Sequence, residues 1–204
     1  SIIICGMLGD WWSDQIKGQT SPSVRFSIEQ GINNSAYIHS VTLYFYRLGY
    51  CSNITPHLVK KYDKNSGREL EERFNYRLTL YTFTSLLWIY NSFYKEVNGK
   101  KIKVIPNWIG EYITPIGLAH WIMQDGSRQA KQGINIATNS FTFKDCTYLC
   151  NILKDKYNLK CTVVKTGYPD QWRISIWKQS MPDLVAIVKP YIIDEMKYKF
   201  IGYI

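Results

Sequence analysis

Two aspartates close short apolar runs: Asp10 follows residues 1–9, and Asp125 follows residues 115–124. An apolar helix must bury its surface against something equally apolar. If the two runs pack on each other, both carboxylates arrive at one end of the pair. Gly6 and Gly9 in the first run, with Gly117 and Ala119 in the second, permit the close approach this needs. Carboxylates held together repel, and a hard divalent cation such as Mg²⁺ relieves that repulsion. Lys103 and Lys199 are separated by 96 residues, the offset that also relates RLTLY at 77–81 to RISIW at 173–177. The chemistry-bearing residues therefore come in two sets.

The elements that must position them also come in pairs. In the first half, Val24, Phe26 and Ile28 alternate with Arg25, Ser27 and Glu29, the pattern of a strand with one wet face. Residues 34–48 carry Ile38, Val41, Tyr44, Phe45 and Leu48 at helical spacing, with Asn34 or Ser35 as cap and Gly49 as stop. Residues 54–62 are expected to pair with 72–81 across a polar loop, Asp63 to Glu69. In the second arm Phe74, Tyr76, Leu78 and Leu80 oppose Arg73, Asn75, Arg77 and Thr79. A helix over 84–94 and a basic bridge over 95–106 complete the half.

The second half repeats the order. A strand is expected at 133–139 with Ile134 and Ile136 inward and Asn135 and Asn139 outward. A helix over 142–157 opens with Thr142 and Asp145 at capping-box spacing. A hairpin of 160–166 with 172–178 and a helix over 182–189 follow. Two tandem copies, 1–106 and 107–204, describe this better than two unrelated domains.

The chain has 204 residues, 46% of them hydrophobic, enough for a real core, and a formal charge of +9. That charge suits a polyanion, above all nucleic acid. No apolar run approaches the roughly 18 residues of a membrane span. Five cysteines, an odd number without disulfide or zinc spacing, point to a reducing compartment and no disulfides. The outward strand positions carry Arg, Asn, Ser, Gln and Lys, a face able to lie along a duplex groove. Carboxylate-held metal beneath such a face describes phosphodiester hydrolysis. The residues expected to touch DNA are Arg25, Ser27, Glu29, Arg73, Asn75, Arg77, Arg128, Asn135, Asn139, Arg173, Ser175 and Trp177, with base and phosphate contacts left undivided. Trp11 and Trp12 are expected to pack.

The run Leu118 to Gly126 (LAHWIMQDG) resembles the signature of the LAGLIDADG homing endonucleases, and Ile3 to Asp10 (IICGMLGD) resembles its first copy. Residues 105–119, the segment Asn139 to Thr142 and the tail Met196 to Lys199 are similar to two-motif, organelle intron-encoded members. The resemblance covers essentially the whole chain. It implies an α/β (α+β) fold of two αββαββα units. Two saddle-shaped antiparallel sheets would face DNA, with the two motif helices packed at the centre. It implies that Asp10 and Asp125, with the carbonyls of Gly9 and Gln124, hold Mg²⁺, with Mn²⁺ or Ca²⁺ able to substitute in binding. Lys103 and Lys199 would flank the scissile phosphates. It further implies a monomer that cuts both strands of a long DNA site across the minor groove, leaving short 3′ overhangs and promoting intron mobility. A mitochondrial or other organellar setting and no membrane association go with it. The alternative role is an intron maturase that binds its host intron RNA. Three departures mark this sequence: Trp11 stands where the pattern prefers Gly, the first helix lacks upstream turns, and Gln124 stands where relatives are often acidic or small. They leave room for an enzyme that cuts one strand faster than the other.

Overall fold

The computed structural model describes residues 1–17, 21–61 and 73–204. The expected loop from Asp63 to Glu69 lies outside these residues. Two compact units emerge, one of residues 10–90 and one of residues 1–9 with 91–204.

The chain opens with α1 (Ile2–Gly6), which belongs to the second unit, and then enters the first. Here β1 (Trp11–Ile16), β2 (Ser23–Gly31), α2 (Ser35–Arg47), β3 (His57–Lys61) and β4 (Arg73–Phe83) form an antiparallel sheet with one helix. The sheet order is β1-β2-β4-β3. Trp11, Val24, Phe26, Ile28, Leu78 and Leu80 are buried, as are Tyr37, Ile38, Val41 and Phe45 of α2. Each such side chain withdrawn from water contributes about 1.5–3 kcal/mol, so the alternation of β2 and β4 fixes which face α2 covers.

Tyr44 and Leu48, expected on the buried stripe of α2, are instead 44% and 52% exposed. Asn34 sits at the N-cap without a capping hydrogen bond, and its amide nitrogen donates to Gln30 Oε1. Gly49 stops the helix as expected, at φ +77°, where a Cβ is strained.

The chain re-enters the other unit at Asn91, within α3 (Leu87–Phe93), which is shorter than the expected 84–94. The basic stretch after it is not a plain bridge. Residues Tyr94–Val97 (β5) and Lys100–Lys103 (β6) pair antiparallel across Asn98 and Gly99, whose φ values are +51° and +72°. Asn-Gly with two positive φ values is the tight hairpin turn whose twist matches that of the strands.

Next come α4 (Ile109–Tyr112), α5 (Pro115–Asp125), β7 (Gly126–Arg128), β8 (Ile134–Ala137), α6 (Phe143–Tyr157), β9 (Cys161–Lys165), β10 (Trp172–Ile176) and α7 (Met181–Val188). Their sheet order, β7-β8-β10-β9, repeats that of the first sheet strand for strand. Strand β8 is shorter than expected and leaves Asn139 in the turn beyond it. The capping box of α6 forms as read, Thr142 Oγ1 accepting from the Asp145 amide and the Asp145 carboxylate accepting from the Thr142 amide. Cys146, Leu149, Cys150 and Leu153 are buried on α6, and Ile134, Ile136, Ile174 and Ile176 are fully buried on the sheet. All five cysteines are free thiols. Among the described residues no helix is long and apolar enough to cross a membrane.

Candidate active site and polar sheet faces

Helix α5 starts cleanly because Thr114 Oγ1 accepts from the Gly117 amide and Pro115 fills the first turn. It packs against α1. A Cβ on Gly117 would lie 2.5 Å from Cys5 Sγ. A Cβ on Gly9 would lie 2.5 Å from Gln124 Oε1 and 2.6 Å from Asp125 Oδ2. Glycine at both places is therefore what lets these two segments meet, as the small-residue pattern suggested. Beyond α1 the chain tightens, with Leu8 and Gly9 amides bonding three residues back to Cys5 and Gly6, and Asp10 follows.

Each lysine of the expected pair reaches the carbonyls at the end of a motif segment. Lys103, the last residue of β6, directs Nζ to the Gly9 carbonyl at 3.5 Å. Lys199 is only 5% exposed and donates to the carbonyls of Met123 at 2.6 Å and Ile122 at 3.4 Å. A cation suits such a place, the carbonyl end of a helix, which carries partial negative charge. In the other unit the Asp10 carboxylate accepts a hydrogen bond from Gln30 Nε2, and Gln30 in turn accepts from Asn34 Nδ2 at 2.8 Å. This amide relay was missed from sequence. Its signal was present: Gln30 stands in phase with Val24, Phe26 and Ile28, a polar residue in an apolar row, and is 5% exposed.

Among the described residues, no three His, Cys, Asp or Glu side chains cluster to hold a metal. In the unit that holds α5 the donors are hard oxygens, Asp125 and nearby carbonyls, with Gln124 itself 8% exposed; in the other unit the hard donor is the Asp10 carboxylate. Donors of that kind fit a cation that keeps much of its water and takes further oxygens from a phosphate. The space at Gly9, which a Cβ would fill, keeps Asp125 Oδ2 beside bare backbone. Burial pushes His120 of α5 down to about 4, so its ring is neutral at pH 7.

The outer faces of the two sheets carry the expected contact residues, with different surroundings. On the first, Glu29 lies opposite Arg77, which donates Nε at 2.9 Å and Nη2 at 2.7 Å to the same carboxylate oxygen. Asn75 Nδ2 donates to the other oxygen at 2.7 Å, and Lys61 forms an ion pair with it. Burial raises the Glu29 carboxyl, but these three partners outweigh it and hold it below its ordinary value. The Arg77 guanidinium lies 5.6 Å from the ring centre of Trp12, which thus packs on the outer face. Ser27, expected to be open, is buried and shares a hydrogen bond with Thr79 at 3.1 Å. Arg25 and Arg73 are exposed.

On the second sheet, Asn135, Asn139 and Arg173 line a recess of about 310 Å³ with Ser127, Tyr168 and Gln171. Asn135, expected outward, is 6% exposed at the floor of that face. Ser175 and Trp177 line a smaller one of about 220 Å³, and Trp177 Nε1 donates to Thr162. Arg128 has another place. Its guanidinium donates to the carbonyls of Gln129, Gln132 and Gly133 and lies 5.2 Å from the Tyr203 ring centre.

Residues 1–184 match the model of the LAGLIDADG DNA endonuclease family. The chain belongs to that family. Cytochrome b mRNA maturase bI2 of Saccharomyces cerevisiae is 39% identical over all of this chain, and the chain spans only 47% of that protein's length. Intron-encoded endonuclease ai4 of Dictyostelium discoideum is 40% identical over 76% of this chain and 95% of its own. Among solved structures, the homing endonuclease I-WcaI bound to its DNA recognition sequence aligns over 100% of this chain and 85% of its own, with TM-score 0.78 at 24% identity. I-DmoI in complex with DNA and Mn aligns over 91% and 95%, with TM-score 0.53 at 14% identity, and shares the fold. The segments that resemble the two LAGLIDADG motif copies are α1 with Asp10 and α5 with Asp125. The mixed helix and antiparallel-sheet fold expected from sequence is the one observed.

Proposed function

We propose that this LAGLIDADG protein is a site-specific, Mg²⁺-dependent endonuclease of double-stranded DNA. It acts as a monomer at a long asymmetric target, leaves short 3′ overhangs and promotes mobility of an organellar intron. The observation that carries this reading is the doubled set of groups. Each motif segment ends in an acid and is met by a lysine, Lys103 at the Gly9 carbonyl and Lys199 at the Met123 carbonyl. The halves 1–106 and 107–204 are tandem copies in this reading, supported by the identical order of strands in the two sheets.

Asp10 and Asp125, with the carbonyls of Gly9 and Gln124, would hold the cation. When bound, the cation supplies a Lewis acid at the phosphate and lowers the pKa of a water nucleophile. The chain's own groups do the rest. Gln30 and Asn34 orient the Asp10 carboxylate. Lys103 and Lys199 bring fixed positive charge to offset the charge that builds on the phosphate oxygens. The polar sheet faces hold the duplex in register.

The test is cleavage of a randomised duplex library with Mg²⁺, with Ca²⁺ and with EDTA. One long Mg²⁺-dependent site with staggered ends is the expected outcome. Asp10→Asn and Asp125→Asn should each abolish cutting of at least one strand while site binding stays nearly unchanged, and full double-strand cutting by either variant rejects the assignment. The second reading, an RNA maturase, is favoured by the identity to the yeast maturase over the entire chain. No cleavage in any metal by a folded protein, with tight binding of intron RNA, would establish it.

A further inference from the structure

The two sheets have the same strand order, so residues can be matched across them by register. Arg77 of β4 and Arg173 of β10 correspond. Arg77 faces Glu29 on the neighbouring strand, and Arg173 faces Ala137. At one position of the repeat, then, one sheet carries a carboxylate and the other a methyl group. The carboxylate gathers Arg77, Asn75 and Lys61, while among the described residues Arg173 has no acidic partner and its Nε makes no hydrogen bond.

We infer that Glu29 is a specificity-determining residue, an internal competitor that withholds Arg77 and Lys61 from DNA phosphates and aims Arg77 and Asn75 at base edges. This rests on the nuclease reading. A carboxylate offers an arginine the same bidentate geometry as a phosphate. For Arg77 to grip a phosphate it must first leave Glu29, which exchanges one anion for another and leaves a carboxylate facing the DNA backbone. Phosphate contacts carry no sequence information, so what Glu29 suppresses is the sequence-independent part of binding.

Base edges are different. Guanine offers neutral acceptors, O6 and N7, which Arg77 can reach with its Nη1 side while Nε and Nη2 stay on Glu29. Asn75 keeps its Oδ1 as an acceptor while its Nδ2 is held. Bonding to Glu29 on one edge and to the Trp12 ring on one face orders the guanidinium before any ligand arrives, so little freedom is lost on reading a base. Arg173, with Ala137 opposite, has no such restraint and can follow a phosphate or a base. The sheets thus divide the work: the first discriminates, the second also attracts.

The experiment compares wild type, Glu29→Gln and Ala137→Glu for binding to a random-sequence duplex of fixed length in Ca²⁺, as a function of salt. Glu29→Gln keeps the shape and frees one net positive charge. The slope of log affinity against log salt should steepen by about 0.9, the value for one additional phosphate neutralised. Ala137→Glu installs the competitor opposite Arg173 and should flatten the slope by about the same amount. On the duplex recovered from the cleavage library, Glu29→Gln should also lower the ratio of specific to random-duplex affinity. Thermal melts confirm that each variant is folded. Unchanged slopes in folded variants overturn the inference and leave the nuclease reading intact. A wild type that binds no duplex at any salt overturns both.

Discussion

The two motif segments each lead to an aspartate, with different surroundings. In the first, five helical residues lead to a tight turn, Asp10 and then Trp11, which is fully buried with its ring 5.5 Å from Phe45, edge to face. In the second, eleven helical residues end on Asp125 and then Gly126, where a Cβ would lie 2.5 Å from the Ile122 carbonyl oxygen. One copy thus fixes the residue after its acid with the largest side chain available, the other with none. Five positions before each acid the copies differ again, Cys5 in one and His120 in the other. Lys103 is half-buried and Lys199 is buried. If the halves are tandem copies, as proposed, the position of the charge is kept while the packing that holds it diverges.

The sharpest break of this comparison is Trp11→Ala, which empties a fully buried site. It should cost about 3–5 kcal/mol, measured as a shift in denaturant midpoint at unchanged slope. A loss below about 1 kcal/mol, the size of an ordinary substitution, would mean that Trp11 does not anchor the first copy.

Next come the lysines. On the nuclease reading, Lys199→Met and Lys103→Met should each slow cutting of one strand by about 10²-fold, so that nicked DNA accumulates, with opposite strands nicked in the two variants. Equal slowing of both strands by either variant would mean that the two sites are not independent.

Titration comes third. The folded His120 pKa of about 4 lies below the unfolded value near 6.5, so below that value the unfolded chain takes up the proton first. Stability should fall as pH drops from about 6.5 to about 4, by at most about 3 kcal/mol, and His120→Gln should flatten that limb. Burial pushes Cys5 up to about 12, so its contribution is complete below pH 9 and is lost as pH rises from there. The second copy therefore carries an acid limit and the first an alkaline one, and urea melts across pH separate them. Smallest is Gly126→Ala, an overpacking change that should cost about 1–3 kcal/mol, read by the same melts.

Much of the fold was legible because periodicity reports burial directly. The alternation of β4, the α6 capping box and the offset-96 repeat all state locally what the chain does locally. What stayed hidden depended on register or on a competing signal. The charges of residues 95–103 drew attention away from Asn98 and Gly99, so the hairpin that carries Lys103 was read as a bridge. Glu29 was placed on the correct face, but that its carboxylate gathers Arg77, Asn75 and Lys61 follows only from which residues lie opposite it on β4 and β3. Arg128 reads as a surface base, and nothing in the residue types tells that the carbonyls of Gln129, Gln132 and Gly133 accept from it. Duplication singled out the acids and lysines of the candidate site in the sequence, whereas the Gln30 relay required knowing that the inner face of β2 ends beside Asp10.

The Asn98-Gly99 turn also keeps time. Glycine offers no side chain to shield its amide nitrogen, and both residues are exposed, so attack of that nitrogen on the Asn98 side-chain amide is open. Ring closure expels ammonia, and hydrolysis leaves aspartate or its isomer at the tip of β5 and β6. An ageing preparation would then acquire a negative charge on the hairpin that presents Lys103, visible as an acidic species on ion exchange, with no change in the gene.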